Sequence, residues 1–157
     1  MKIYDRARVN LILGHGRSGT TWLGSIVNSH PDIAYRFEPL HRLQEHKPHL
    51  SVMVKRLREG NIDADYFSQL YDELIVADPL TLKPPFFKKS YIHETGIEKV
   101  WMCSRAVRPT KFIYSYLYSP KNNPPMIIKE VDFEQEMLTL LTKSSIPLVY
   151  LVRHPCG

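Results

Sequence analysis

Near the start of the chain stands the stretch Val9-Asn10-Leu11-Ile12-Leu13-Gly14-His15-Gly16-Arg17-Ser18-Gly19-Thr20-Thr21. Its apolar first part predicts a buried strand that ends at Gly14. The apolar residues at positions 22, 23, 26 and 27 have helical spacing and predict a helix from Thr20 to Asn28. A glycine-rich loop between a strand and a helix is typical of an anion site, because its backbone N–H groups and the helix N-terminus point at the bound group. A plain glycine turn is the alternative.

The side chains of this loop also suit an anion. Thr20 and Thr21 add hydroxyl donors, and Arg17 adds a guanidinium. The Walker pattern G-x-x-x-x-G-K-[ST] is nearly met, but Thr20 stands in the place of its lysine. The best later strand, 148–152, leads into Arg153 rather than a metal-binding aspartate. Because ATP and GTP chemistry depends on Mg²⁺, the loop favours a less highly charged transferred group that is handled without a metal ion.

Further patterns predict the remaining elements. Apolar runs predict strands at 33–37, 126–131 and 148–152. Helical spacing predicts helices over 50–57, over 66–75 after a capping Asp63, and over 133–141 after a capping Asp132. The run 148–152 is unbroken and reads as a central strand covered on both faces. We therefore predict an α/β fold, a P-loop-like parallel β-sheet flanked by helices and incomplete at its C-terminus.

Composition indicates one ordinary globular domain over residues 1–157. Apolar residues make up 43% and charged residues 24%, which excludes a disordered or collagen-like chain. Two cysteines are too few for a disulfide scaffold or a cysteine metal site. No apolar run approaches the roughly 20 residues of a membrane span, and the first eight residues lack the apolar core of a signal peptide. We therefore expect a cytoplasmic protein without a membrane span.

A basic, aromatic segment interrupts the regular pattern at 79–125. It contains eight basic and two acidic residues, a net charge of +6, and seven of the twelve prolines. Long irregular segments within compact domains are often lids or binding loops. The positive charge favours an anionic partner such as a nucleotide, a sulfated or acidic substrate, or nucleic acid. A solvated basic surface is the alternative.

Three motifs, in their order along the chain, resemble one enzyme family. Residues 14–23 resemble the 5′-phosphosulfate-binding loop of sulfotransferases that use 3′-phosphoadenosine 5′-phosphosulfate (PAPS). Asn28-Ser29-His30-Pro31-Asp32 and Phe37-Glu38-Pro39 are similar to the carbohydrate and protein-tyrosine branches and their bacterial relatives. Leu151-Val152-Arg153-His154-Pro155 is similar to the start of the 3′-phosphate-binding motif. The resemblance covers 9–40 and 126–157, and it is weak between them.

The resemblance implies a role for several single residues. Arg17 is implied as the cation on the 5′-phosphate and the transferring sulfonate, and Glu38 as the general base that takes a proton from an acceptor hydroxyl. Lys129 is implied to stabilise charge on the bridging oxygen, and Arg153 to bind the 3′-phosphate. The implied PAPS-binding residues are His15, Gly16, Arg17, Ser18, Gly19, Thr20, Thr21 and Arg153.

Other interpretations of these residues stay open. Glu38 is alternatively an exposed loop carboxylate or a structural partner of Arg36, and Lys129 is alternatively a strand lysine whose ammonium reaches solvent. His41 is a second-choice base. The histidines at positions 41, 46 and 49 do not have helical ligand spacing as a set, so we expect no metal ion.

We thus predict a sulfotransferase that moves a sulfuryl group from PAPS to a hydroxyl. A P-loop nucleotide kinase and a non-catalytic fragment that binds an anion or glycan are the alternatives. The family's serine eight positions beyond Arg153 and its later nucleotide-contacting segment are not in these 157 residues, so we expect a fragment of the enzyme. The sequence leaves the acceptor open among a glycan, a tyrosine, a lipid head group and a phenol. The basic segment favours an acidic acceptor. No nucleic-acid partner is expected, and the sequence leaves the oligomeric state open.

Overall fold

The computed structural model describes residues 5–76, 81, 89–90, 123–131, 133, 137–138, 141 and 145–153. The strands are β1 (Val9–Gly14), β2 (Ala34–Phe37), β3 (Met126–Glu130) and β4 (Leu148–Leu151). The helices are α1 (Thr20–Ser29), α2 (Pro39–Leu43), α3 (Pro48–Arg58) and α4 (Ala64–Leu74). All described strand pairs are parallel, in the order β2-β3-β1-β4. The predicted α/β fold, with a parallel sheet flanked by helices, is confirmed.

Strands β1 and β3 form the middle of the described sheet. Leu11, Ile12 and Leu13 of β1 are each at most 3% exposed, so both faces of this strand are covered. A strand of this kind reads as a continuous apolar run, because it has no solvent face to demand polar residues. Strand β3 pairs with β1 on one side and with β2 on the other. Strands β1 and β2 are therefore parallel, as predicted from the strand–loop–helix–strand pattern, but they are not neighbours.

The helices bury the faces that their spacing predicts. The buried residues of α3 are Leu50, Met53, Val54 and Leu57. Helix α4 begins with the predicted cap, in which the Asp63 carboxylate accepts the Tyr66 N–H at 2.8 Å. Helix α1 packs closely on β2 through Gly24, where an added Cβ would overlap the Tyr35 hydroxyl and lie 2.7 Å from Tyr35 Cζ. A larger residue at Gly24 would therefore push α1 off the sheet.

Strand β4 differs from its prediction as a central strand covered on both faces. It pairs with β1 and lies at the end of the described sheet. Val149 and Tyr150 are 50% and 41% exposed. The apolar run correctly identifies a strand, but which elements cover that strand depends on contacts distant in sequence, about which a local pattern carries no information.

Two predictions fall largely outside the described residues. Of the segment 79–125, the structure describes positions 81, 89–90 and 123–125. Of the helix expected at 133–141, the positions 137, 138 and 141 are helical, and the capping Asp132 lies outside the described residues. Within the described part of the chain, no helix is long and apolar enough to cross a membrane.

Candidate functional site

The residues implied in chemistry lie at or just after the carboxyl ends of the four strands. The glycine loop, residues 14–21, follows β1, and Glu38 follows β2. Lys129 is the penultimate residue of β3, and Arg153 comes two residues after β4. Because all four strands are parallel, their carboxyl ends lie at the same edge of the sheet, where α/β proteins bind ligands. The structure therefore brings all four groups to this edge.

The glycine loop turns sharply from β1 into α1. The Ser18 N–H donates to the His15 carbonyl at 3.0 Å. Arg17 and Gly19 both have left-handed backbones, with φ of 68° and 97°. Gly19 precedes α1, and no side chain caps this helix end. The N–H groups and positive dipole of the first helical turn thus meet the loop without a capping side chain, which is an arrangement that suits an anion.

The loop is tightly packed around Gly14, and it contains a buried hydroxyl that forms no hydrogen bond with the described residues. A Cβ at Gly14 would lie 2.7 Å from both the Leu151 carbonyl oxygen and Ser18 Oγ. The Ser18 Oγ is buried, and among the described residues it has no hydrogen-bond partner. Leaving a buried hydroxyl unsatisfied costs about 1–3 kcal/mol. A phosphate or sulfate oxygen in the loop would satisfy it, so the residues present fit such a group.

Arg17 and Arg153 lie together at the β1–β4 end of the edge. Both side chains are exposed, and Arg153 Nη1 lies 3.5 Å from the Arg17 carbonyl oxygen, to which it donates. This contact joins the glycine loop to the segment after β4, one strand spacing away. Guanidinium groups form charge-assisted, two-pronged hydrogen bonds with phosphate and sulfate oxygens. Each of the two exposed guanidinium groups can therefore bind an anionic group at this end of the edge.

Glu38 and Lys129 form an ion pair at the β2–β3 end of the edge. The Lys129 side chain is 1% exposed and the Glu38 side chain 16%, so the accessible part of the pair is the carboxylate. The Lys129 ammonium also lies 4.6 Å from the centre of the Phe37 ring. A buried ammonium requires such partners because its desolvation is costly. Lys129 thus does not reach solvent, in contrast to the alternative interpretation of this residue.

Arg36, the alternative partner of Glu38, reaches in another direction. It is fully buried, and its Nε and Nη2 donate to Thr81 Oγ1 at 2.8 and 2.6 Å. Its Nη1 donates to the Leu74 carbonyl. These bonds tie β2 to Thr81 and to the end of α4, whereas the Glu38 carboxylate is paired with Lys129.

Glu130, which follows Lys129 in β3, is a further charged residue near the Glu38–Lys129 ion pair, and the sequence motifs did not indicate it. It is fully buried, and its carboxyl oxygens accept the Leu40 N–H at 2.8 Å and the Val131 N–H at 3.4 Å. The pKa of Glu130 is raised to about 8, chiefly by burial and to a smaller extent by the Glu38 charge. The two N–H groups and the Lys129 charge act to lower this pKa. The signal in the sequence is the pair of charged residues, 129 and 130, that ends an otherwise apolar strand.

The described histidines, at positions 15, 30, 41, 46 and 49, are all exposed. His49 Nε2 lies 3.2 Å from the Glu73 carboxylate, which Lys47 Nζ approaches at 3.5 Å. His30 ends α1. Among the residues that the structure describes, no group of three or more His, Cys, Asp or Glu side chains is placed to hold a metal ion.

Comparison with known proteins gives a distant similarity. The chain is similar to carbohydrate sulfotransferase 1 of Mus musculus, with 29% identity over 109 residues. The similarity covers 62% of this chain and 25% of that protein, so the chain spans about a quarter of the length of this relative. No protein-family model matches the chain, and no solved structure matches it. The similarity is therefore to a sulfotransferase at the coarse level, and it agrees with the family that the sequence motifs resemble.

Proposed function

We propose that this chain is the nucleotide-binding part of a sulfotransferase that moves the sulfuryl group of PAPS to an acceptor hydroxyl. The observation that carries the proposal is the convergence of the glycine loop, two arginines and a carboxylate–lysine pair on one sheet edge. The buried Ser18 hydroxyl, which has no partner among the described residues, supplies a donor inside the loop. The similarity to a carbohydrate sulfotransferase supports the same reaction and favours a glycan as acceptor.

The loop and the arginines bind the co-substrate in this proposal. The loop N–H groups, the Ser18 hydroxyl and Arg17 hold the 5′-phosphosulfate, and Arg153 holds the 3′-phosphate. Arg153 thereby distinguishes PAPS from adenine nucleotides that lack a 3′-phosphate. When bound, PAPS supplies an activated sulfuryl group and a bisphosphate leaving group.

Glu38 and Lys129 handle the proton and the charge. Glu38 accepts the proton of the acceptor hydroxyl as the acceptor oxygen bonds to sulfur and the bond from sulfur to the bridging phosphate oxygen breaks. Lys129 and Arg17 offset the negative charge that develops on that bridging oxygen. The products are a sulfate ester and adenosine 3′,5′-bisphosphate, with the proton on Glu38. Most of the rate enhancement then comes from positioning and electrostatics.

Transfer of ³⁵S from labelled PAPS by the full-length enzyme tests this chemistry. We expect label to enter an acidic oligosaccharide rather than a tyrosine peptide or 4-nitrophenol. Glu38→Gln should lower the transfer rate by about 100-fold or more, the usual contribution of a general base, and leave adenosine 3′,5′-bisphosphate binding unchanged. The exposed Glu45 provides a matched control, and Glu45→Gln should transfer at the wild-type rate. Full activity in Glu38→Gln would exclude Glu38 as the base, and no transfer by the wild type to any acceptor would contradict the catalytic proposal.

A further inference from the structure

The turn that carries Glu38 has an unusual backbone. Glu38 has φ 47° and ψ 56°, in the left-handed region, and it is followed at once by Pro39 at the start of α2. A non-glycine residue stays in this region only where the surrounding structure holds it there. The groups that hold residues 38–40 therefore determine where the Glu38 carboxylate lies.

Strand β3 binds both backbone donors of this turn. The Glu38 N–H donates to the Lys129 carbonyl at 2.8 Å. Pro39 has no N–H. The Leu40 N–H donates to Glu130 Oε2, also at 2.8 Å. One donor is thus held by the main chain of β3 and the other by a side chain of β3, across 90 positions of sequence.

The Glu130 contact replaces a cap that Glu38 would ordinarily make. The residue that precedes a helix commonly accepts an N–H of the first turn with its own side chain. Glu38 precedes α2, but its side chain makes no capping bond. Glu130 accepts the Leu40 N–H instead, and the Glu38 carboxylate pairs with Lys129.

We propose that Glu130 is a positioning residue that caps α2 from β3 and so holds the Glu38 carboxylate beside Lys129 at the sheet edge. The inference rests on the proposed role of Glu38 as the base. A fully buried carboxyl group is costly in a strand, and an apolar side chain of similar length would fill the same space at lower cost. Accepting the Leu40 N–H gives the buried carboxyl group a structural role that an apolar side chain could not fill.

Three variants separate this role from simple packing. Glu130→Gln keeps an acceptor oxygen, whereas Glu130→Met has similar size and no strong acceptor. Both remove the ionisable group, so a difference between them reports the amide group, whose oxygen can accept the Leu40 N–H. The third variant replaces Leu40 by leucic acid, which turns the amide into an ester and removes the N–H donor while every side chain stays in place.

Nuclear magnetic resonance and kinetics provide the readouts. In Glu130→Gln, we expect hydrogen-exchange protection of the Leu40 amide within about threefold of the wild type and an unchanged ¹³Cα shift of Glu38. In Glu130→Met, protection should fall about tenfold or more, as for the loss of one buried hydrogen bond, and the Glu38 shift should move. In the Met and ester variants kcat should fall by a similar factor, with KM for PAPS and bisphosphate affinity unchanged.

The outcomes that would overturn the inference are distinct from failure of the proposed function. Wild-type protection and shifts in Glu130→Met would overturn it, and so would their loss in Glu130→Gln. If Glu130→Met does not fold, the ester variant decides, and a wild-type Glu38 shift there would overturn it. A full-length wild-type enzyme that transfers no sulfuryl group would contradict the proposed function, while the resonance measurements would still decide on Glu130.

Discussion

Glu130 gives the stability of this protein an unusual dependence on pH. Its pKa is about 8 in the folded chain, against an ordinary value of 4.5. Between these values the folded state keeps a proton that the unfolded state has released. The contribution of Glu130 to the free energy of unfolding is therefore complete below about pH 4.5 and is lost as the pH rises through about 8. Most carboxylates, held in their charged form, act in the opposite direction.

We predict that Glu130→Gln removes this dependence. From pH 5.5 to pH 7.5, the wild type should lose about 2 kcal/mol more of its unfolding free energy than Glu130→Gln, because one proton is involved over two pH units. Urea denaturation of both proteins at the two pH values measures the difference. Glu45→Gln, an exposed carboxyl substitution, should behave as the wild type. Equal pH slopes for the wild type and Glu130→Gln would contradict the prediction.

At the scale of residues, the sequence indicates candidate groups only where they lie in recognisable local patterns. Arg17 lies in the glycine loop, Glu38 after a strand, and Arg153 after another, and the structure brings these three to one edge. Glu130 could not be found in this way, because its partner Leu40 is 90 positions away and the strand order that joins them is not local information.

Among elements, the contact of β1, the glycine loop and β4 depends on Gly14. A methyl group there would lie 2.7 Å from the Leu151 carbonyl oxygen, 2.7 Å from Ser18 Oγ and 2.8 Å from Thr20 Cγ2. Two of these atoms belong to the loop and one to the backbone of β4. The methyl group must therefore displace either the loop or β4.

We predict that Gly14→Ala destabilises the fold by about 1–3 kcal/mol, the usual cost of overpacking, and weakens adenosine 3′,5′-bisphosphate binding about tenfold or more. Gly60→Ala is the control. Gly60 has φ +70° and open space around its Cβ position, so alanine should cost about 1 kcal/mol in backbone strain without affecting the ligand. Thermal denaturation and calorimetry of both variants provide the test. Wild-type ligand affinity in Gly14→Ala would contradict the assigned geometry of the loop.

The elements themselves were largely predictable, and their neighbours were not. Hydrophobic periodicity locates β1, α1, α3 and α4 closely, because each buries a face set by residues near in sequence. The insertion of β3 between β1 and β2 follows from contacts between residues 92 and 117 positions apart. The partial exposure of β4 likewise depends on contacts distant in sequence. Its apolar run resembles that of the covered strand β1, so the local pattern does not distinguish the two.

At the scale of the whole molecule, the parallel sheet turns separate motifs into one site. A glycine loop alone is a weak indication of function, and a carboxylate–lysine pair alone is a common structural contact. Their convergence with Arg153 at the carboxyl edge is the observation that supports the proposed site for an anionic ligand with two charged ends. The central claim is thus that one ligand with a 5′-phosphosulfate and a 3′-phosphate occupies this edge.

Calorimetric titration with adenosine 3′,5′-bisphosphate, beside ATP and each with and without Mg²⁺, tests this claim most directly. Arg153→Ala is the informative variant. Arg8→Ala is the matched control, because Arg8 lies just before β1, at the opposite end of the sheet, and donates to the Asn123 carbonyl at 2.6 Å. We predict metal-independent binding of the bisphosphate that Arg153→Ala weakens about tenfold or more, as for the loss of a charge-assisted hydrogen bond, and that Arg8→Ala leaves unchanged. Binding of ATP that requires Mg²⁺, or polyanion binding with a steep salt dependence and no preference for a 3′-phosphate, would contradict the account.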